Sequence, residues 1–184
     1  MISFVGLGKT GSIYANTKQN AGFCVIDELC KRWKVSLNPG KGTYVFGEKN
    51  DSRAILMKPL TGMNKSGKAV KDFCINQGLL LSNVHVIVDD IDLPLGKLRI
   101  RPKGGDGCHR GMESIIYQNR DNNFPRIRFG IAVGSKLRPS EQYVLKDFKK
   151  SDQKLADEMI IRAADAAELI FENGLNKAMN KYNA

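Results

Sequence analysis

The chain has 184 residues, of which 42% are hydrophobic and 26% are charged, so it can fold around one core and is not an intrinsically disordered chain. Lysine and arginine outnumber aspartate and glutamate by 29 to 19, which gives a formal net charge of +10. No apolar run approaches the roughly 18 residues of a membrane-spanning helix, and the start, MISFVGLG, lacks the features of a secretory signal or a transit peptide. We therefore expect a cytosolic protein with a single domain over residues 1–184 and no membrane partner.

The basic excess points to a polyanionic partner. Nucleic acid is the first choice and a membrane surface the second, although a basic excess can also serve solubility alone. The four cysteines, Cys24, Cys30, Cys74 and Cys108, form no C-x-x-C pair. We expect four reduced thiols and no metal site, with Cys30 and Cys74 buried as small hydrophobic side chains.

Apolar residues recur with the spacings of strands and helices along the whole chain. The first half is predicted to contain a strand over residues 2–5, a helix over 20–33 with Asn20 as its cap, a loop over 39–42, strands over 44–46 and 54–57, and a helix over 64–75. The second half is predicted to contain strands over 84–88 and 97–101, a short helix near 112–117, a strand over 126–133, and helices over 151–173 and 175–182. In the long helix, the side chains expected to face the core are Leu155, Met159, Ala163, Ala166 and Ile170.

This alternation of strands and helices predicts an α/β layer fold. Because the strands over 84–88 and 97–101 are consecutive and close in sequence, we expect them to pair antiparallel, which makes the sheet mixed.

Residues 6–11, GLGKTG, follow the first strand and match G-x-G-x-x-G. A dinucleotide site would need a helix that begins inside this motif and an acidic residue at the end of the next strand, about 20 residues later. The nearest acid, Asp27, falls within the predicted helix instead. A P-loop is excluded as well, because Ser3 occupies the position of its first glycine. We interpret the motif as a glycine-rich strand exit.

Two further motifs carry candidate chemistry. Asp89, Asp90 and Asp92 follow the strand over 84–88 and are suited to a magnesium ion, a catalytic base or a solvated turn. Residues 103–111, KGGDGCHRG, place His109 in a glycine-rich loop within a basic neighbourhood suited to phosphate oxygens. The basic residues of this neighbourhood are Lys97, Arg99, Arg101, Lys103, Arg110, Arg126 and Arg128.

Four segments together resemble the bacterial peptidyl-tRNA hydrolases along nearly the whole chain. They are FVGLGKTGSIYANTKQNAGF, KPLTGMNKSGKAV, VDDIDLPLGKLRIRPKGGDGCHRGMESII and RIRFGIAVG. The resemblance implies a single α/β domain with a twisted mixed sheet flanked by helices. It also implies cleavage of the ester that joins a peptide to the 3′ ribose of tRNA, without a metal or an organic cofactor. The expected partner is tRNA or another RNA, and we expect a monomer.

The resemblance also assigns site residues. Asp89 matches the acid that orients the family's catalytic histidine, and His109 matches a loop histidine near the substrate. Met63 and Asn64 match the family's substrate-binding Met-Asn pair, and Tyr14 is a further substrate-binding candidate.

The basic residues with which the family holds a tRNA phosphate match Arg101 and Arg128. Three pocket positions depart from the family pattern. Gln19 stands where the family has its catalytic histidine, so it is a catalytic candidate only by position. Lys9 and Arg110 stand where the family has asparagines, in the substrate-binding part of the pocket.

These departures predict altered chemistry. Glutamine can hold a water molecule but cannot accept its proton at neutral pH, and the loss of a general base costs about 10²- to 10⁴-fold in rate. Lys9 and Arg110 are expected to bring two cations near Asp89, which weakens that carboxylate as a base and strengthens phosphate binding. We therefore predict binding of the tRNA acceptor end with impaired ester hydrolysis, because Gln19 replaces the general base.

Two alternatives remain open. One is an active peptidyl- or aminoacyl-tRNA hydrolase with a rearranged site that uses His109 or a lysine. The other is an unrelated nucleotide-binding enzyme on a similar scaffold. Under the family resemblance, Gln19, Asn64, Asp89 and His109 should converge on one cleft, because the matching segments end strands or open helices.

Overall fold

The computed structural model describes residues 1–135 and 137–183, and a seven-stranded mixed sheet forms its centre. The strands are β1 (Ile2–Gly6), β2 (Asn38–Pro39), β3 (Tyr44–Glu48), β4 (Ala54–Pro59), β5 (Val84–Pro94), β6 (Leu98–Arg101) and β7 (Arg126–Ala132). Their order across the sheet is β2-β3-β4-β1-β5-β7-β6. The four central strands β4, β1, β5 and β7 run parallel, whereas β3 and β2 on one edge and β6 on the other join antiparallel.

Helices cover both faces of this sheet. In the described residues they are α1 (Ala21–Trp33), α2 (Ser66–Gln77), α3 (Arg110–Asn119), α4 (Ser140–Val144), α5 (Gln153–Asn173) and α6 (Leu175–Tyr182). Successive residues of a strand point to opposite faces, so Phe4 packs with α1, α5 and α6, while Val5 packs with α2 and α3. None of the helices in the described part of the chain combines the length and the apolarity needed to cross a bilayer. The predicted α/β fold with a mixed sheet is confirmed.

The predicted pairing of the strand over 97–101 is wrong. That segment, β6, pairs antiparallel with β7, with Leu98 opposite Phe129. Both edges of β5 are already occupied by parallel partners, β1 and β7. The segment of β5 that contains Asp89 and Asp90 also continues the strand rather than forming a turn.

Three local predictions are corrected by the structure. Asn20 precedes α1, but its side chain makes no capping hydrogen bond and instead binds the backbone of Lys9. Leu155 is 40% exposed, because the inward stripe of α5 begins one residue later, at Ala156. Part of the predicted loop over 39–42 belongs to the short strand β2, which pairs with β3. Of the two cysteines expected in the core, Cys74 is buried and Cys30 is only half-buried, and the four thiols are free.

Two glycines allow the close contacts that position the site. A Cβ on Gly22 of α1 would lie 2.5 Å from the carbonyl oxygens of Ile87 and Leu7, so only glycine lets the start of α1 lie against β5 and the exit of β1. A Cβ on Gly67 of α2 would lie 2.0 Å from the carbonyl oxygen of Ser114. The backbone N–H of Gly67 instead donates to Oγ of Ser114 at 2.9 Å, which joins α2 to α3.

Candidate active site

A cavity of about 560 Å³ opens beside the carboxyl-terminal half of β5, next to the segments that follow β1 and β4. This edge of a parallel sheet is where α/β folds place their sites. Gln19, Asn64, Asp89 and His109 all line the cavity, although they come from four separate segments of the chain. The structure therefore brings together the four residues that were expected to share a cleft.

The remaining candidate residues divide into two groups. Those that also line the cavity are Lys9, Met63, Arg101, Arg110 and Arg128. Tyr14 does not belong to the cavity lining, and its ring instead faces the ammonium group of Lys9, 4.4 Å from the ring centroid.

Asp89 and His109 form a buried pair in the cavity wall. Nε2 of His109 lies 3.0 Å from Oδ1 of Asp89, whose side chain is only 2% exposed. Nδ1 of His109 accepts the backbone N–H groups of Gly111 at 3.0 Å and Met112 at 3.4 Å, so this histidine caps the start of α3. The neutral ring therefore carries its proton on Nε2 and donates it to Asp89.

The same contacts decide what the imidazole of His109 can do. Burial lowers the pKa of His109, but the charge and hydrogen bond of Asp89, with Asp90 and Asp106 further away, outweigh burial and raise that pKa overall. A protonated ring has no lone pair, and in the neutral ring the lone pair of Nδ1 is directed at the two backbone N–H groups. In neither protonation state does His109 offer a free nitrogen lone pair to the cavity. Oδ2 of Asp89, by contrast, accepts no hydrogen bond from any group in the described residues.

The loop before α1 is fixed by Asn20, which is almost fully buried. Its amide oxygen accepts the backbone N–H of Lys9, and its Nδ2 donates to the carbonyl oxygens of Lys9 at 3.0 Å and Tyr14 at 2.8 Å. The polar side chain at position 20 therefore shapes the exit of β1 rather than capping the helix.

Lys18 anchors the other side of the same turn. This lysine is 5% exposed, and its ammonium group donates to the carbonyl oxygens of Asp147 at 3.0 Å and of Tyr143 and Lys146 at 3.4 Å. Burial, together with the nearby charge of Lys146, lowers the pKa of Lys18. Gln19 thus sits half-buried between two anchored neighbours, on a turn that contacts β5. Sequence reasoning missed Lys18, because its partners lie at least 125 residues away and leave no local pattern.

Lys9 and Arg110 do not interact with Asp89 as expected. Lys9 lies over the ring of Tyr14, and Arg110 is exposed and faces Glu141 at 3.7 Å. Within the described residues neither cation forms an ion pair with Asp89, whose partner is His109.

Each of the three clustered aspartates has its own partner. Asp89 contacts His109, Asp90 forms an ion pair with Arg128 at 2.5 Å, and Asp92 forms an exposed ion pair with Arg138 at 2.9 Å. Across residues 1–135 and 137–183, no group of three His, Cys, Asp or Glu side chains is arranged to hold a metal ion. The three carboxylates of this motif therefore do not converge on one point.

The buried side chain of Arg126 supports the glycine-rich loop over residues 103–111. It is 3% exposed and donates to the carbonyl oxygens of Gly105 at 2.8 Å, Asn122 at 3.2 Å and Phe124 at 3.2 Å. Burial, and then the neighbouring charge of Arg128, lower the pKa of Arg126 to about 10. Sequence reasoning placed this arginine in the basic neighbourhood but did not identify its buried structural role.

Comparisons with known proteins identify the family of this chain. The family model described as peptidyl-tRNA hydrolase matches residues 3–184. The peptidyl-tRNA hydrolase of Thermoanaerobacter sp. (strain X514) is 45% identical over 185 residues, which cover 100% of both chains. That of Geobacillus kaustophilus (strain HTA426) is 42% identical over 182 residues, which cover 98% of each chain. The crystal structure of the Acinetobacter baumannii peptidyl-tRNA hydrolase superimposes with a TM-score of 0.91 at 32% identity, covering 100% of this chain and 95% of that one. The chain belongs to the peptidyl-tRNA hydrolase family.

Proposed function

We propose that this protein binds the acceptor end of peptidyl- or aminoacyl-tRNA and hydrolyses the ester, with Asp89 as the group that accepts the proton of the attacking water. The observation that carries the proposal is the carboxylate of Asp89. It is buried in the cavity wall, one oxygen is fixed by His109, and the other has no hydrogen-bond partner in the described residues. The names of the relatives at 45% and 42% identity also support a hydrolase.

The hydrolysis needs one water molecule and no other reactant. The water oxygen bonds to the ester carbonyl carbon, and its proton passes to Oδ2 of Asp89. The bond from the carbonyl carbon to the ribose oxygen then breaks, and that oxygen takes the proton back from Asp89, which leaves the peptide acid, the free ribose hydroxyl and the ionised carboxylate. Gln19 serves as a water holder, because an amide can both donate and accept a hydrogen bond. Asn64, exposed on the rim of the cavity, is placed to donate to the peptide or to the carbonyl oxygen.

This arrangement predicts slow hydrolysis. General-base catalysis is most efficient when the pKa of the base lies near the working pH, and a carboxylate is a weaker base than an imidazole at neutral pH. RNA binding depends on other groups, among them Arg101 and Lys103, which are exposed cations on the cavity wall. The protein should therefore keep its affinity for tRNA even though ester cleavage is slow.

A second candidate function is tRNA binding without hydrolysis. The observation that favours it is the absence of a free imidazole nitrogen, within the described residues, on the cavity wall. His109 has both nitrogens engaged, and His85, the other histidine, is buried near the start of β5 with Nδ1 3.2 Å from the carbonyl oxygen of Ser3. Gln19 cannot accept a proton in their place.

Single-turnover cleavage of an N-acetylated aminoacyl-tRNA separates the two functions. The unsubstituted protein should cleave faster than the protein-free control, and Asp89→Asn should lower the rate by about 10²-fold or more. Asp92→Asn is the matched control, because it removes a carboxylate from the same strand that pairs with Arg138 at the surface. Tight tRNA binding without cleavage by the unsubstituted protein would establish the second candidate. An undiminished rate in folded Asp89→Asn would refute the role of Asp89.

A further inference from the structure

A second concave surface, of about 800 Å³, lies at the far end of α3 from the cavity. We call it the α3 groove. Its lining residues are Lys71 of α2, followed by Ile116, Tyr117, Gln118, Arg120, Asp121 and Asn122.

The side chains of the α3 groove have the composition of a surface that contacts RNA. Tyr117 is 77% exposed, which is unusual for an aromatic ring with no partner to cover it. Lys71 and Arg120 are exposed, and neither forms an ion pair within the part of the chain that the structure describes. Exposed aromatic rings beside cations bind single-stranded nucleic acid by stacking on bases while the cations contact phosphates. The groove lacks the continuous apolar centre of a protein interface, because most of its lining side chains are polar or charged.

The α3 groove is rigidly joined to the cavity. The backbone carbonyl of Asn122, a groove residue, accepts the backbone N–H of Gly104 at 3.4 Å and a guanidinium N–H of Arg126 at 3.2 Å. The same guanidinium donates to the carbonyl of Gly105 in the cavity wall. Lys103, which precedes Gly104, is exposed and lines the cavity, so one cation of the cavity wall is next in sequence to a residue that is hydrogen-bonded to the groove.

The distance between the two surfaces suits one RNA molecule. Helix α3 begins at the cavity with Arg110 and reaches Tyr117 after two turns, about 10 Å at 1.5 Å per residue. We propose that the α3 groove is a second RNA-contact surface, in which Lys71 and Arg120 bind the phosphate backbone and Tyr117 stacks against a base. This inference rests on the proposed function, because it requires RNA at the cavity.

Fluorescence anisotropy with labelled, deacylated full-length tRNA tests the inference. The double variant Lys71→Gln, Arg120→Gln should weaken binding and reduce the slope of log affinity against log salt by about 1.4 to 1.8, since each phosphate contact contributes about 0.7 to 0.9. Tyr117→Ala should raise the Kd about 5- to 100-fold, because it removes a stacking surface. Tyr117→Phe, which keeps the ring, should retain the affinity of the unsubstituted protein.

A matched double variant, Lys31→Gln, Lys154→Gln, removes the same charge from exposed positions on α1 and α5, on the other face of the sheet. It should leave both the Kd and the salt slope nearly unchanged. An equal loss in the control and groove double variants would mean that net charge alone attracts the RNA, and would overturn the inference. Unchanged tRNA binding in the groove variants would overturn it while leaving the proposed function intact. Absence of tRNA binding by the unsubstituted protein would overturn both.

Discussion

Replacing Gln19 by histidine should supply a stronger base than the carboxylate of Asp89, because an imidazole is the better proton acceptor at neutral pH. The turn that carries Gln19 contacts β5 and is held by the buried side chains of Lys18 and Asn20. The backbone that would carry the new ring is therefore fixed in place. His109 occupies only Oδ1 of Asp89, and Oδ2 is open to a second donor. An imidazole at position 19 that donates to Oδ2 would direct its other nitrogen to the attacking water.

The expected gain follows from general-base catalysis. A positioned base contributes about 10²- to 10⁴-fold, which corresponds to about 2.7 to 5.4 kcal/mol of barrier at 1.36 kcal/mol per tenfold. The sequence alone predicts that the cations at positions 9 and 110 would oppose this gain by competing for the carboxylate. In the structure, Lys9 lies over Tyr14 and Arg110 faces Glu141. The single substitution should therefore give most of the gain, and adding Lys9→Asn and Arg110→Asn should change the rate by less than tenfold.

The assay is kcat/KM on an N-acetylated aminoacyl-tRNA between pH 5.5 and 8.5. The kcat/KM of the Gln19→His variant should fall as the pH is lowered through the ordinary imidazole pKa of about 6.5, because a protonated ring cannot act as a base. Gln19→Asn is the control, since it keeps an amide and should give no gain. A folded, tRNA-binding Gln19→His protein with no increase in rate would refute the reasoning, and so would an equal increase in Gln19→Asn.

Three further predictions concern charge, pH and thiol reactivity. Replacing Arg101 and Arg128 by glutamine should flatten the slope of log tRNA affinity against log salt by about 1.4 to 1.8, and an unchanged slope would mean that these cations contact no phosphate. Burial lowers the pKa of His109 but Asp89 raises it overall, so the charge-dependent part of the pair's contribution to the free energy of unfolding should be complete below about pH 6.5 and lost as the pH rises through the folded pKa. Urea unfolding of the unsubstituted protein and Asp89→Asn should then differ more at pH 6 than at pH 9, and an equal difference would contradict the shift. Cys108, which is exposed in the cavity lining, should react with a thiol reagent before the other three cysteines, whose thiol pKa values burial raises, and bound tRNA should slow its reaction.

Most helices and strands could be predicted from the sequence because hydrophobic periodicity is a local property. The helix over 175–182 is found as α6, Leu175–Tyr182, and the strand over 2–5 extends by one residue to Gly6. Strand pairing could not be predicted in the same way. The choice of β7 over β5 as the partner of β6 depends on which edge of β5 is free, and that is decided by elements far apart in the chain.

The candidate site shows the same division. The motifs around Asn64, Asp89 and His109 identify a shared cavity, since they end strands or open helices at one edge of the sheet. The partners of each side chain could not be predicted from those motifs. The buried cations of Lys18 and Arg126 bind backbone carbonyls rather than carboxylates, and a carbonyl acceptor is present at every residue, so the sequence carries no signal for such contacts.

Under the proposed function, tRNA binding and ester hydrolysis depend on the cavity in different ways. The cations on the cavity wall share the attraction for phosphate, so the loss of one weakens binding only in part. Hydrolysis depends on a single lone pair, which must be placed to accept the proton of the attacking water. Both nitrogens of His109 are engaged, because Nδ1 caps the start of α3 and Nε2 donates to Asp89 on β5. The remaining positions for a base are Oδ2 of Asp89 and the side chain at position 19. The side chain of Gln19 makes no hydrogen bond with the described residues, so we expect substitutions at this position to change the rate of ester cleavage with little effect on the fold or on the binding of tRNA.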